Sequence, residues 1–594
     1  MDLFNGQDVP LQLCEETMKT ILSVPISDLP NEPIDPGQLA TLCRLRFLDV
    51  TAFLDLHELC IMEHQPGPQH SEEDLFSTLL LPYAAISYPW RDLQLPEGQS
   101  CPSFAVKGAL HADRISINVI RTACVAARAY GCDMLWLDRL SILQDHKQDK
   151  IWQIHRMFRV YKNCSVCLVF PGGLVRLARL DDSTTWIDRA WTLQEAAAPG
   201  AEKVKVVFQL SHPSYQDYLQ HRCEVAGYNE VYSQYLKKKG TAEISINGRK
   251  MSGGQYGAFV DKVLEADRSA TCDFQGLTTA LWSMDVKLRQ DFPEIAQDHE
   301  KFPIRILRAA ETQMLGRALD FGGMRFWIAA YTRSSSRPVD MVFSLMDLLG
   351  VQVDVARFGK NDRTKATIAM IQMIMKASPK ATATWLYIAP GMTPSRELST
   401  LPQAPETTES GQAYINTPRK GRTLAYEAIG AQGANFWRSE GAPRGEMTDS
   451  GYFVFWSRAA LVIEEDIRVQ HHSKDYDNCW TWAIVVGRLK NYNRNPDTWR
   501  IQAWNPAKSS RPKGVYELTL MFVEKHGYDL YHRVGMEREI DERKTVRWNW
   551  VYRCFQVGGP GRGERKRFGT SISGPVFVAG WGDEEEDTLT VCVD

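Results

Sequence analysis

The chain has 594 residues, 44% hydrophobic and 24% charged, a globular balance that excludes wholesale disorder, collagen and coiled coil. Lys and Arg number 69 and Asp and Glu 72, a net charge of −3, so no global field draws the chain to nucleic acid or to an anionic membrane. The 13 cysteines are odd in number and irregular in spacing, which excludes a disulfide scaffold.

The N-terminus MDLFNGQDVP has no basic, apolar leader, and no run reaches the ~18 apolar residues of a membrane span. A cytoplasmic protein without a membrane span is expected. At roughly 100–200 residues per domain the length predicts three to five domains.

Residues 1–79 read as a Pro-rich lead-in with a helical pattern near Leu39–Leu59 and a polar connector at His64–Glu73. Residues 80–210 change character. Tyr83–Tyr88, Met134–Leu137, Val166–Phe170 and Val204–Phe208 are short apolar runs. They predict four strands buried on both faces. Between them, Ser116 caps a helix to Tyr130 and Asp149 opens another, with Ile151, Ile154, Phe158 and Tyr161 on one face. A further helix spans Asp188–Ala197. This alternation predicts an α/β core built on a parallel sheet.

Residues 211–390 read as a mainly helical extension. Asn247-Gly248 marks a hairpin at Ile244–Met251, and 305–320 and 364–377 are amphipathic. Residues 391–447 are rich in Pro, Gly, Ser and Thr and read as a flexible linker. From 448 to 594 the pattern is strand-like (YFVFW, WTWAIVVGRL, VYELTLMFVE, VRWNWVYRCF, PVFVAGW) and predicts a β-rich C-terminal domain.

In open parallel sheets ligands bind beyond the carboxyl ends of the strands. The loops there carry Ser87, Tyr88, Trp90 and Arg91 after the first strand, Asp138, Arg139 and Ser141 after the second, and Pro171-Gly172-Gly173 after the third. The helix after them carries Trp191 and Glu195, which share a face at i and i+4. A carboxylate beside an indole in a cleft is desolvated, which raises its pKa and suits acid/base or cation-stabilising work. The alternative is that these residues merely cap strands and helices.

Elsewhere, Cys164-x-x-Cys167 lacks a second ligand pair and faces opposite sides of a strand, so no metal set is predicted. His471, His472, Asp475, Asp477 and Cys479, the basic run Arg562–Arg567 and the acidic run Asp583–Asp587 read as solvated loops. No phosphate-binding G-x-x-x-x-G-K-[ST] occurs.

YAAISYPW, LWLDRLSILQD, IWQIHRMFRVYKNCSVCLVF and WIDRAWTLQE occur in this order between about 83 and 198. Together they resemble the fungal heterokaryon-incompatibility (HET) domain, with a weaker downstream echo at Arg337–Leu345. Arg91, Ser141 and Ala190 stand where the family pattern has Gly, Cys and Gly; Ser141 removes any cysteine nucleophile there.

The resemblance implies programmed cell death in fungal non-self recognition. It also implies a distant likeness to Toll/interleukin-receptor (TIR) domains and hence a flavodoxin-like fold. In enzymatic TIR domains the glutamate of a W-x-x-x-E pattern is required to cleave NAD⁺ into nicotinamide and an ADP-ribose product. Trp191 and Glu195 match that spacing.

By this resemblance Glu195 is the catalytic carboxylate. Ser87, Tyr88, Trp90, Arg91, Asp138, Arg139 and Trp191 bind substrate, NAD⁺ is a substrate rather than a bound cofactor, and activity follows homo-oligomerisation or a protein trigger. The competing expectation is a non-enzymatic module of the same family that self-associates or docks a partner.

Overall fold

In the computed structural model, the described residues are 18–29, 32–65, 76, 81–179, 182–210, 243–246, 249–252, 260–264, 269–274, 277, 324–388, 392–408, 411–417, 421–430, 439–462, 481–490, 516–527, 529–541 and 550–560. They fall into two compact units. The expected helix at 305–320, the strand PVFVAGW, the His471–Cys479 loop and both charge runs near the C-terminus lie outside the described residues.

The first unit comprises residues 1–363, 405–414 and 424–426. Its strands are β1 (Met18–Pro25), β2 (Arg46–Asp49), β3 (Glu58–His64), β4 (Tyr83–Ser87), β5 (Ser103–Phe104), β6 (Ile115–Ser116), β7 (Met134–Trp136), β8 (Val166–Val169), β9 (Val204–Gln209), β10 (Glu243–Ile246), β11 (Arg249–Ser252), β12 (Val260–Leu264) and β13 (Ser269–Asp273). Its helices are α1 (Ile117–Ala129), α2 (Asp138–Ser141), α3 (Lys147–Asn163), α4 (Ala190–Ala197), α5 (Met324–Tyr331) and α6 (Asp340–Met346).

Nine strands form one sheet in the order β1-β3-β2-β7-β4-β8-β9-β13-β12. The central pairs β7–β4, β4–β8 and β8–β9 are parallel, as the sequence pattern predicts. The flanking pairs β1–β3, β3–β2, β2–β7, β9–β13 and β13–β12 are antiparallel. The sheet is therefore mixed, not wholly parallel. Taken in chain order, the parallel strands lie 2-1-3-4, the order of flavodoxin-like sheets, which places the switch point between β4 and β8.

The helix read near Leu39–Leu59 is instead β2, a single wide π-helical turn at Ala52–Leu56, and β3. His57 leaves that turn in the left-handed region, at φ 59 and ψ 36. Arg46, Phe47 and Leu48 are consecutively buried, so β2 shows no alternation that would mark it as a strand.

β4 and β8 are buried along their whole length, the signature of a strand covered on both faces. Ser116 caps α1, its side chain accepting from Val119 N. Gly131 follows at φ 75, the left-handed exit that glycine allows. Glu243–Ile246 and Arg249–Ser252 pair antiparallel with Ile246 opposite Arg249, the hairpin expected there.

One buried ion cluster ties the antiparallel flank to the second motif. Arg46 bonds Glu63 at 3.1 Å and both oxygens of Asp149 at 3.0 and 3.1 Å. It also reaches the Ser141 carbonyl at 3.0 Å. Asp149 further accepts from Cys43 N and Leu143 N. The paired charges and amides compensate for desolvation that would otherwise be prohibitive.

β14 (Tyr414–Thr417) and β15 (Gly421–Leu424) pair as a separate two-stranded ribbon. The second unit comprises residues 364–404, 415–423 and 427–594. The expected helix at 364–377 is present as α7 (Arg363–Ala377). The remaining strands are β16 (Ser439–Glu440), β17 (Gly445–Met447), β18 (Tyr452–Val462), β19 (Thr481–Lys490), β20 (Tyr516–Gly527), β21 (Leu530–Asp541) and β22 (Val551–Gly558).

They form a seven-stranded sheet, and an extra β18–β19 pairing closes β19-β20-β21-β22-β18 into a ring, which leaves those five without a free edge. Phe453, Phe455, Phe522 and Phe555 are buried in this unit. The region is β-rich, as its strand-like pattern predicts. Within 391–447, Leu398, Leu401, Ala413 and Met447 are buried.

Candidate active site

The site forms where β4 ends, beside the switch point. Ser87, its last residue, is fully buried and donates its hydroxyl hydrogen bond to Glu195 Oε2. The Ser87 oxygen in turn accepts from Trp186 Nε1 at 2.8 Å. An indole, a hydroxyl and a carboxyl thus stand in series across residues far apart in sequence.

Glu195 is 9% exposed. Burial pushes its carboxyl up to about 8; the Ser87 hydrogen bond opposes this, Asp138 adds to it, and Arg189 and Arg333 oppose it. At neutral pH this group holds its proton, and a cation placed against it would drive the proton off.

The first two loops interlock beside this series. Tyr88 donates to Asp138 Oδ1, and Trp90 Nε1 donates to Asp138 Oδ2 at 2.5 Å. Arg139 Nε donates to the Tyr88 hydroxyl at 2.9 Å, and its guanidinium lies 5.2 Å from that ring's centre. Arg139 also reaches the Asp113 carbonyl. Asp138, at the N-terminus of α2, takes the Arg139 amide at 2.7 Å, a typical place for a carboxylate. Burial raises the Tyr88 phenol well above its ordinary value.

Arg91 donates Nε to the His111 carbonyl at 2.5 Å, while the His111 ring packs 5.3 Å from Trp90. Gly173 closes the third loop at φ 85, where an added Cβ would lie 3.2 Å from the Pro89 carbonyl. Leu93 N donates to Gly172 O at 3.1 Å and joins this loop to the first.

Of the residues expected from sequence, Ser87 and Glu195 are in direct contact, and Tyr88, Trp90, Asp138 and Arg139 form one bonded group. Trp191 is half-buried and hydrogen-bonds to Asp340 on α6. The indole that joins the carboxyl is Trp186, which sequence reading missed. Asp92 was missed as well: it accepts from Thr185 N at 2.6 Å and Thr185 Oγ1 at 2.8 Å. Burial above all, with Asp188 adding to it, pushes its carboxyl up to about 6. A third omission is Arg189, whose charge interacts with Glu195, Asp138 and Asp92 and which burial holds below its ordinary pKa.

The departures from the family pattern are accommodated. Ser141 is fully buried and its Oγ accepts from Leu137 N at 3.3 Å. Ala190 is buried, and its amide donates to Ser334 O at 2.9 Å. The arrangement offers a desolvated carboxyl, flanking aromatic rings and nearby guanidinium groups, a set suited to a cationic or phosphorylated ligand. Among the described residues no group of three His, Cys, Asp or Glu could hold a metal ion. Nor is any described helix long and apolar enough to cross a membrane.

Residues 83–176, which carry β4 to β8 and the first three motifs, match the family model for heterokaryon incompatibility protein (HET); the chain carries a HET domain over that stretch. Its sequence is similar to the vegetative incompatibility protein HET-E-1 of Podospora anserina, 26% identical over 143 residues, 22% of this chain. The shared stretch is 10% of that relative's length. No solved structure matches. Glu195 and Trp186 lie beyond the family match.

Proposed function

We propose that this chain is a fungal heterokaryon-incompatibility protein. Its TIR-like HET core hydrolyses NAD⁺ to nicotinamide and an ADP-ribose product on assembly, and NAD⁺ loss commits the cell to death. The observation that carries this reading is the Glu195 carboxyl, buried against Ser87 and Trp186 and pushed up to about 8.

Breaking the nicotinamide–ribose bond builds oxocarbenium character at the ribose carbon. The bond's electron pair leaves with nicotinamide, water adds to the ribose carbon, and one proton is released. A carboxylate held against that carbon stabilises the cation and takes little reorganisation to do so. The cationic nicotinamide ring itself favours ionisation of Glu195 on binding. Tyr88 and Trp90 supply faces for a ring, and Arg91, Arg139 and Arg189 supply cations for the diphosphate.

A second reading has its own observation. Ser87 with Glu195, and Tyr88 and Trp90 with Asp138, satisfy one another's hydrogen bonds. A ligand must open these bonds, which favours either catalysis only after assembly or a docking module without chemistry. Chromatography of nicotinamide and ADP-ribose products from the full chain, free and clustered on a multivalent scaffold, separates the two. Nicotinamide from the clustered chain supports hydrolysis; NAD⁺ left intact by both supports docking.

A further inference from the structure

The helix that carries Glu195 is held from outside the family-matched stretch. Arg333, in the loop between α5 and α6, is 1% exposed. Its Nη1 donates to Ile187 O at 2.5 Å, Arg189 O at 3.1 Å and Thr192 Oγ1 at 2.9 Å. Thr192 Oγ1 also donates toward the Trp186 carbonyl at 2.7 Å and the Arg189 carbonyl at 2.8 Å. One guanidinium nitrogen therefore ties the turn that follows Trp186, whose indole contacts Ser87, to the first turn of α4.

The same loop adds backbone bonds. Ser334 N donates to Asp188 O at 2.6 Å, and Ala190 N donates to Ser334 O at 2.9 Å. One residue group further on, Trp191 bonds Asp340. A buried guanidinium needs compensating negative charge, and Glu195 feels the charge of Arg333.

We infer that Arg333 is a positioning residue of the Glu195 site: it fixes the turn that presents Trp186 and Glu195. The downstream segment around residues 332–345 is then part of the site and not an appendage. The positioning rests on these hydrogen bonds; its consequence for turnover rests on the hydrolase reading above.

The groups acting on Glu195 come from every element around it. They are Ser87 from β4, Asp138 from α2, Arg189 before α4 and Arg333 before α6, with Tyr161 from α3 and Cys167 from β8. Of these groups Arg189 and Arg333 are the cations, so loss of Arg333 removes one of the two charges among them that hold the carboxylate down.

The test follows the Glu195 carboxyl by infrared difference spectroscopy of the full chain, with the band assigned by subtraction of Glu195→Gln. Arg333→Gln, which keeps a donor and sheds the charge, is expected to speed amide exchange over residues 190–197 at least tenfold and to raise the titration midpoint. Arg333→Lys is expected to restore the midpoint to near the wild-type value. A folded Arg333→Gln protein with unchanged amide exchange over residues 190–197 overturns the inference, whether or not the wild type turns over NAD⁺.

If Arg333→Gln fails to fold, Arg333→Lys decides alone. A wild-type midpoint with faster amide exchange over residues 190–197 supports the inference, because the shorter lysine side chain cannot carry its ammonium to the place of Nη1 without moving the loop. Unchanged exchange there overturns it. Where the wild type hydrolyses NAD⁺, Arg333→Lys should lower kcat at least tenfold at similar KM.

Discussion

Replacing Glu195 with glutamine should make the protein more stable, and increasingly so as pH rises. The carboxyl moves from an ordinary value of 4.5 to about 8 in the folded state, burial being the main cause. A raised carboxyl pKa means that the folded state keeps a proton that the unfolded state has released. Its contribution is therefore fully present below pH 4.5 and lost as pH rises through about 8. At 1.36 kcal/mol per unit, the shift amounts to at most about 5 kcal/mol, and local relaxation and water entry reduce it to a few kcal/mol.

Glutamine keeps the shape and an acceptor for Ser87 but does not titrate. The Glu195→Gln protein should match the wild type near pH 5 and exceed it by a few kcal/mol at pH 9. Other groups, Asp92 among them, titrate in both proteins and largely cancel in the difference. Urea unfolding followed by tryptophan fluorescence at several pH values measures it. A difference that stays flat between pH 5 and 9, or grows toward acid pH, would refute the placement of Glu195 as a buried, protonated acid.

Further predictions concern the surroundings. Ser87→Ala strands the buried Trp186 Nε1 and removes the Glu195 partner, so about 1–3 kcal/mol of stability should be lost in the same unfolding assay. Arg46→Leu leaves Glu63 and Asp149 buried without their shared cation; a loss of about 3–5 kcal/mol is expected, visible as a large fall in the urea midpoint. Ser141→Cys restores the family residue at a fully buried position, and the thiol should resist iodoacetamide in the folded protein and leave NAD⁺ turnover unchanged. For the proposed hydrolase, kcat/KM should rise with pH through about 8, because the carboxylate is the working form; a profile flat from pH 6 to 9 contradicts that role.

The centre of the fold was legible because burial on both faces leaves an unbroken apolar run. The readings at Tyr83–Tyr88, Met134–Leu137, Val166–Phe170 and Val204–Phe208 coincide, within a residue or two at their ends, with β4, β7, β8 and β9. The antiparallel flanks were not legible. In β2 the consecutive burial of Arg46, Phe47 and Leu48 hides the strand period, and β13 (SATCD) offers few apolar residues to count.

At the site, the i to i+4 spacing drew Trp191 toward Glu195, yet the indole bonded into the series is Trp186, which approaches through Ser87 from a turn. Arg333 left no trace in local pattern, because its acceptors lie more than 140 residues away in sequence. Periodicity reports which face of an element is buried; it cannot report which distant loop supplies a charge to it.

The most direct test of the account is nicotinamide release from NAD⁺ by the full chain, clustered and free, run beside Glu195→Ala and Glu195→Gln proteins shown to be folded. The account predicts turnover by the clustered wild type that falls at least a hundredfold in both variants. Turnover that survives in both, or a clustered wild-type chain that leaves NAD⁺ intact, would contradict it.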